Sequence, residues 1–118
     1  MSNQTSVTDV LRAGLRAAEL RQSAIANNLA NLNTPGFRRS TVDFEQRLAE
    51  ALGDGNVKPE DLEPALRQPL STPINGLDND VDMDMEIGEL VKNGVQYKTY
   101  VRLLAKLRSQ VAEAMRTE

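Results

Sequence analysis

The sequence contains no cysteine, no histidine and no tryptophan. Without Cys or His there is no thiolate nucleophile, imidazole base or disulfide, and the usual zinc ligands are missing. The redox compartment therefore leaves no mark on the composition. The aromatics are Phe37, Phe44, Tyr97 and Tyr100 alone. They provide neither a sugar platform nor a basic surface interleaved with aromatics for nucleic acid. Long apolar runs are also absent. Residues 1–22 include Arg12, Arg16 and Arg21, which excludes the h-region of a Sec-type signal, and no stretch reaches membrane-span length. These absences lead us to expect no enzyme, cofactor, metal site or membrane insertion.

What remains is built from Leu, Val, Ile, Ala and Met, a palette suited to thin helix–helix seams. At 118 residues the chain is one domain at most, with a monomer of marginal stability. Its net charge of −3 is unevenly placed. Residues 1–52 carry +1, residues 53–90 carry −8 and residues 91–118 carry +4. Basic ends flanking an acidic middle fit solvated faces or complementary contact between copies.

The expected fold is all-α: two long terminal helices pairing as an antiparallel coiled-coil hairpin. Residues 1–5 are expected to be disordered. An N-terminal helix should fill 6–33, capped by Ser6 with Asp9 three residues on. Leu11, Leu15, Ala18, Gln22, Ile25, Leu29 and Leu32 alternate in steps of four and three, a heptad seam with one polar break. Thr34 before Pro35 stops the helix and Gly36 supports a turn.

Residues 34–52 should hold this turn and a short amphipathic segment capped by Asp43. Residues 53–79, with Pro59, Pro64, Pro69 and Pro73, read as a flexible linker with no core of its own. The C-terminal helix is expected over 80–118. Its seam runs Met83, Ile87, Leu90, Gly94, Tyr97, Val101, Leu104, Arg108, Val111 and Met115. We expect Leu11, Leu15, Ala18, Ile25, Leu29 and Leu32 to pair with Ile87, Leu90, Tyr97, Val101, Leu104 and Val111. A second stripe, Tyr100, Leu103, Leu107 and Ala114, has no cover within a hairpin and is assigned to neighbouring subunits.

The acids Asp78, Asp80, Asp82, Asp84, Glu86 and Glu89 fall at EF-hand spacings. Met83 occupies the loop position that requires Gly, so the run reads instead as the acid-rich first turn of a helix.

Two segments carry a family resemblance. Asn28-Leu29-Ala30-Asn31-Leu32-Asn33-Thr34-Pro35-Gly36-Phe37-Arg38 resembles the N-terminal signature of flagellar axial proteins, the rod, hook and hook-associated subunits. Phe37 stands where Tyr is commoner. Asn79-Asp80-Val81-Asp82-Met83-Asp84-Met85-Glu86, followed by Leu90, Asn93, Tyr97, Leu103 and Leu104, is similar to the C-terminal part of the proximal-rod members of that family. Thr41-Val42-Asp43-Phe44 is also similar to their continuation past the turn. The two regions span most of 6–52 and 79–115. The middle is short, and Gly94 interrupts the seam.

The resemblance implies a structural subunit of the proximal rod, polymerising through its terminal helices and exported through the flagellar secretion channel without a Sec signal. It implies homo- and hetero-oligomeric contacts in the basal body's periplasmic rod. The implied partners are other rod subunits, the adaptor, the export-gate or membrane-ring base, and the secretion apparatus. Asn28, Asn31, Asn33, Thr34, Pro35, Gly36 and Phe37 form its signature turn. The three asparagines either lock that turn or contact a neighbour, or simply end the helix. The alternative function is a cytosolic helical adaptor or secretion-chaperone module binding heterologous helices. It would use the same stripes but leaves the Asn-Thr-Pro-Gly-Phe turn unexplained.

Overall fold

The computed structural model describes residues 6–116; the disorder expected at 1–5 lies outside them. In chain order the elements are α1 (Val7–Ala30), β1 (Thr41–Asp43), α2 (Glu45–Gly53), a 3-10 turn (Pro59–Leu62), β2 (Ala65–Arg67) and α3 (Met83–Arg116). The long helices pack antiparallel as expected, in a body of 66 × 27 × 19 Å. Among the described residues no helix is long and apolar enough to cross a membrane.

The ends of α1 follow from local chemistry. Ser6 Oγ accepts from the Asp9 amide, and the Asp9 carboxylate accepts from the Ser6 amide, a complete capping box. The helix stops at Ala30 rather than Asn33, because the Asn31 side chain turns back to donate to the Asn27 carbonyl at 2.8 Å. α3 starts at Met83 rather than residue 80, with Asp82 Oδ1 accepting from the Met85 amide at 3.0 Å as its cap.

Two expectations for the middle differ from what is found. Asp43 does not cap α2. It lies in β1, and its carboxylate faces Arg47 and Arg67. The Phe44 ring, 1% exposed, takes the cap position without a side-chain bond and fills the space over Ala13 and Ala17. Burying a phenyl ring is worth about 2 kcal/mol, more than a surface cap.

The segment expected as a linker contains defined structure. β2 pairs antiparallel with β1, Thr41 opposite Arg67 and Asp43 opposite Ala65. Pro64 and Pro69 lie outside that short ladder, where no amide is needed. Val42, Leu48 and Leu62 pack around Phe44. This segment covers one face of the hairpin. On another face, residues of α1 and α3 alone line an open groove of about 520 Å³.

Candidate functional site

The two long helices meet in three unlike layers. In the first, Gly14 of α1 lies under the Tyr100 ring of α3; a Cβ on Gly14 would overlap the ring atoms. The Tyr100 hydroxyl donates to Glu45 Oε2 at 2.9 Å. Burial pushes that hydroxyl up to about 12, reinforced by the Glu45 hydrogen bond and charge and opposed by Arg21.

The second layer is polar. Asn93 donates to the Ala18 carbonyl at 2.8 Å, and its own oxygen accepts from Arg21 at 3.2 Å. Arg21 also pairs with Glu45 at 2.6 Å and donates to the Val42 carbonyl, tying both helices to the covering segment. The third layer is Asn28 against Glu86, both fully buried, with Asn28 Nδ2 donating to Glu86 Oε1 at 3.0 Å.

Around this third layer the two signature segments bond to each other. Asn28 accepts from the Ser40 amide and donates to the Ser40 carbonyl, both at 2.9 Å, as a strand neighbour would. Arg39 is 7% exposed; its Nε donates to Glu86 Oε2 and its amide to Asp80 Oδ1, each at 2.6 Å. A buried pair this well hydrogen-bonded offsets its desolvation, and losing either partner is costly.

Asn79 Nδ2 donates to the carbonyls of Asn31 and Thr34, both at 2.9 Å, so it ties down the end of α1. Thr34, Pro35, Gly36 and Phe37 form a turn closed by the Phe37 amide on the Thr34 carbonyl. Gly36 has φ +76°, and Pro before such a glycine is the type II pattern. The Gly36 amide then donates to the Leu77 carbonyl, while Arg38 pairs with Asp78 at 2.7 Å.

The sequence-derived residues are placed as follows. Asn28, Asn31, Thr34 and the Gly36 amide enter this network; Asn33, Thr34, Pro35 and Gly36 are exposed and Phe37 is half-buried. Four acids of the 78–86 run have protein partners: Asp78 pairs with Arg38, Asp80 accepts from the Arg39 amide, Asp82 caps α3 and Glu86 holds Arg39 and Asn28.

On α1, Ala18 and Ile25 are buried and Leu11, Leu15, Leu29 and Leu32 half-buried. On α3, Leu90 and Leu104 are half-buried, but Ile87, Tyr97, Val101 and Val111 are exposed. Tyr100 and Leu107, assigned to neighbours, are half-buried, and Tyr100 faces α1 and Glu45 in its own chain. Leu103 and Ala114 are exposed.

A one-residue shift explains the difference. The three layers use Gly14, Arg21 and Asn28 with Tyr100, Asn93 and Glu86. These residues occupy the same heptad spacing as Leu15, Gln22 and Leu29 with Val101, Gly94 and Ile87, one position away. Apolar periodicity selects the second set, because five of the six layer residues are polar or glycine.

A sequence profile described as flagella basal body rod protein matches residues 9–38, which is α1 and its signature turn. The flagellar basal body rod protein FlgB of Borreliella burgdorferi is 32% identical over 102 residues, covering 70% of this chain and 76% of that protein. The chain belongs to the FlgB family. The FlgB of Cereibacter sphaeroides is 30% identical over 112 residues, covering 85% of this chain and 86% of its own length. That of Aeromonas hydrophila is 30% identical over 111 residues, with 83% of each covered.

In this FlgB-family chain the C-terminal end of the profile-matched segment, residues 28–38, bonds to residues 77–86 of the same molecule. Arg39, Glu86, Asn93, Asn79, Arg21, Glu45 and Gly14 were not singled out from sequence as site residues. Asn79, Glu86 and Asn93 do stand among the residues of the C-terminal resemblance, but no local pattern joins Arg39 to Glu86 across 47 positions.

Proposed function

We propose that this chain is a structural subunit of the proximal flagellar rod, polymerising through its two terminal helices. It acts without a catalytic step, is exported through the flagellar channel and joins the periplasmic rod. Its neighbours are other rod subunits, the adaptor and the membrane-ring or export-gate base.

The observation that carries this reading is the division of labour on the helix pair. The signature segments satisfy each other inside one chain, while Ile87, Tyr97 and Val101 stay exposed on α3. An apolar strip on a thin hairpin is stabilised when neighbours cover it. The adaptor alternative gives no reason for a turn locked so fully to the start of α3.

The test is electron microscopy of basal bodies purified from cells carrying a labelled chain. Label in the proximal rod is the expected result; diffuse label beside intact, unlabelled basal bodies refutes the reading. Pro35→Ala with Gly36→Ala should abolish motility while expression persists, since a Cβ at Gly36 meets a disfavoured φ. Swimming cells with normal rods would contradict that role for the turn.

A further inference from the structure

The open groove is lined by Ala18, Glu19, Gln22 and Ser23 of α1 and by Asn93, Gly94, Tyr97 and Lys98 of α3. Its middle is shallow-sided because Ala18 and Gly94 are small, and a Cβ on Gly94 would meet nothing within 4 Å. Beside it, on the same helix, Ile87, Val91 and Val95 form an i, i+4 row, 45%, 65% and 61% exposed. A row of this kind is the ridge that packs into an interhelical groove. Charge matches as well. Glu19 in the groove has no ion pair among the described residues, and neither does Arg102, which lies one turn beyond Lys98 and two turns beyond Val95.

We infer that the groove is the seat of a second copy of this chain, whose Ile87–Val91–Val95 ridge enters over Ala18 and Gly94 and whose Arg102 meets Glu19. This rests on the rod-subunit reading and names the neighbour and the contact. Ridge and groove are distinct patches, and the inferred contact repeats head-to-tail from one copy to the next. Each copy leaves one groove and one ridge unused, and the array stays open rather than closing as a two-fold dimer.

The absence of cysteine allows a direct test. Gln22→Cys and Val91→Cys are made separately, and oxidative cross-linking is run on each alone and on their mixture. It is run with purified chains and with basal bodies from cells expressing both. The mixture should yield a disulfide-linked pair, and neither variant alone should. A chain carrying both cysteines should give a ladder of oligomers, whereas linkage that stops at the dimer shows a two-fold and overturns the inference. Gly94→Leu fills the groove and should weaken self-association about tenfold, as loss of a central interface contact does, with helix content unchanged. Arg102→Glu with Glu19→Arg should restore association that either change alone lowers.

No cross-link in either setting, or normal association by Gly94→Leu, overturns the inference. Self-linking of one variant alone also overturns it, since that requires a two-fold. A labelled chain present in the rod but not cross-linked leaves the rod reading standing and this contact wrong. A label missing from the rod defeats the rod reading itself.

Discussion

The same two helices carry two heptad registers, one residue apart, with opposite chemistry. The inward register is Gly14, Arg21 and Asn28 against Tyr100, Asn93 and Glu86. Its three layers are a size match, a neutral-to-charged hydrogen bond and a buried acid, and no layer substitutes for another. The flanking register is Leu15, Gln22 and Leu29 beside Val101, Gly94 and Ile87, mostly apolar and repetitive. Apolar seams tolerate slippage, whereas a buried polar residue at one seam position specifies alignment. The chain therefore fixes its own hairpin with unlike layers and leaves the α3 side of the generic apolar register, Ile87 and Val101, exposed.

The sharpest way to break this contrast is Glu86→Ala, which strands the Arg39 guanidinium and the Asn28 amide in a buried site. Leaving half of a buried pair costs about 3–5 kcal/mol, enough to remove the cooperative urea transition of so thin a fold. Ile87→Ala, one residue away and exposed, should leave that transition in place.

Gly14→Ala should cost about 1–3 kcal/mol through overlap with the Tyr100 ring, and Tyr100→Leu in the same chain should recover part of it. Leu15→Ala at the adjacent flank position should cost less. Thermal unfolding by circular dichroism ranks the two.

Tyr100→Phe should cost about 1 kcal/mol for the lost hydrogen bond to Glu45. It also tests the electrostatics. Burial and the Glu45 carboxylate push the folded hydroxyl up to about 12 from its ordinary value of 10.0. The stability this contributes is therefore complete below pH 10, declines above it and is gone once pH passes through 12. Urea titrations across that window should show a steeper decline for the native chain than for Tyr100→Phe.

The smallest effect should have the opposite sign. Gly94→Ala adds a Cβ to open space in mid-helix, so it should stabilise the isolated chain by up to about 1 kcal/mol.

Much of the architecture was legible in the sequence. The Ser6–Asp9 box, the Thr34-Pro35-Gly36 turn and the two long amphipathic segments are local signals, and local signals survive in the fold. The inward register was not legible. Periodicity counts apolar residues, and Asn28, Arg21, Asn93 and Glu86 register as solvent-facing until their partners are known. The strand at Ala65–Arg67 was hidden for a related reason, since its pairing with Thr41–Asp43 is long-range and its flanking prolines read as linker. Asp43 stands where a cap would, but burying Phe44 outweighs capping at that position.

The most direct test of the central claim is nuclear magnetic resonance of the Gly14 α-protons in the labelled chain and in Tyr100→Leu. If the inward register holds, those protons lie at the Tyr100 ring, show cross-relaxation to its ring protons and move strongly in shift when the ring is removed. Gly14 signals that ignore Tyr100→Leu, with the ring cross-relaxing to a neighbouring layer instead, would place the helices in another register and contradict the account.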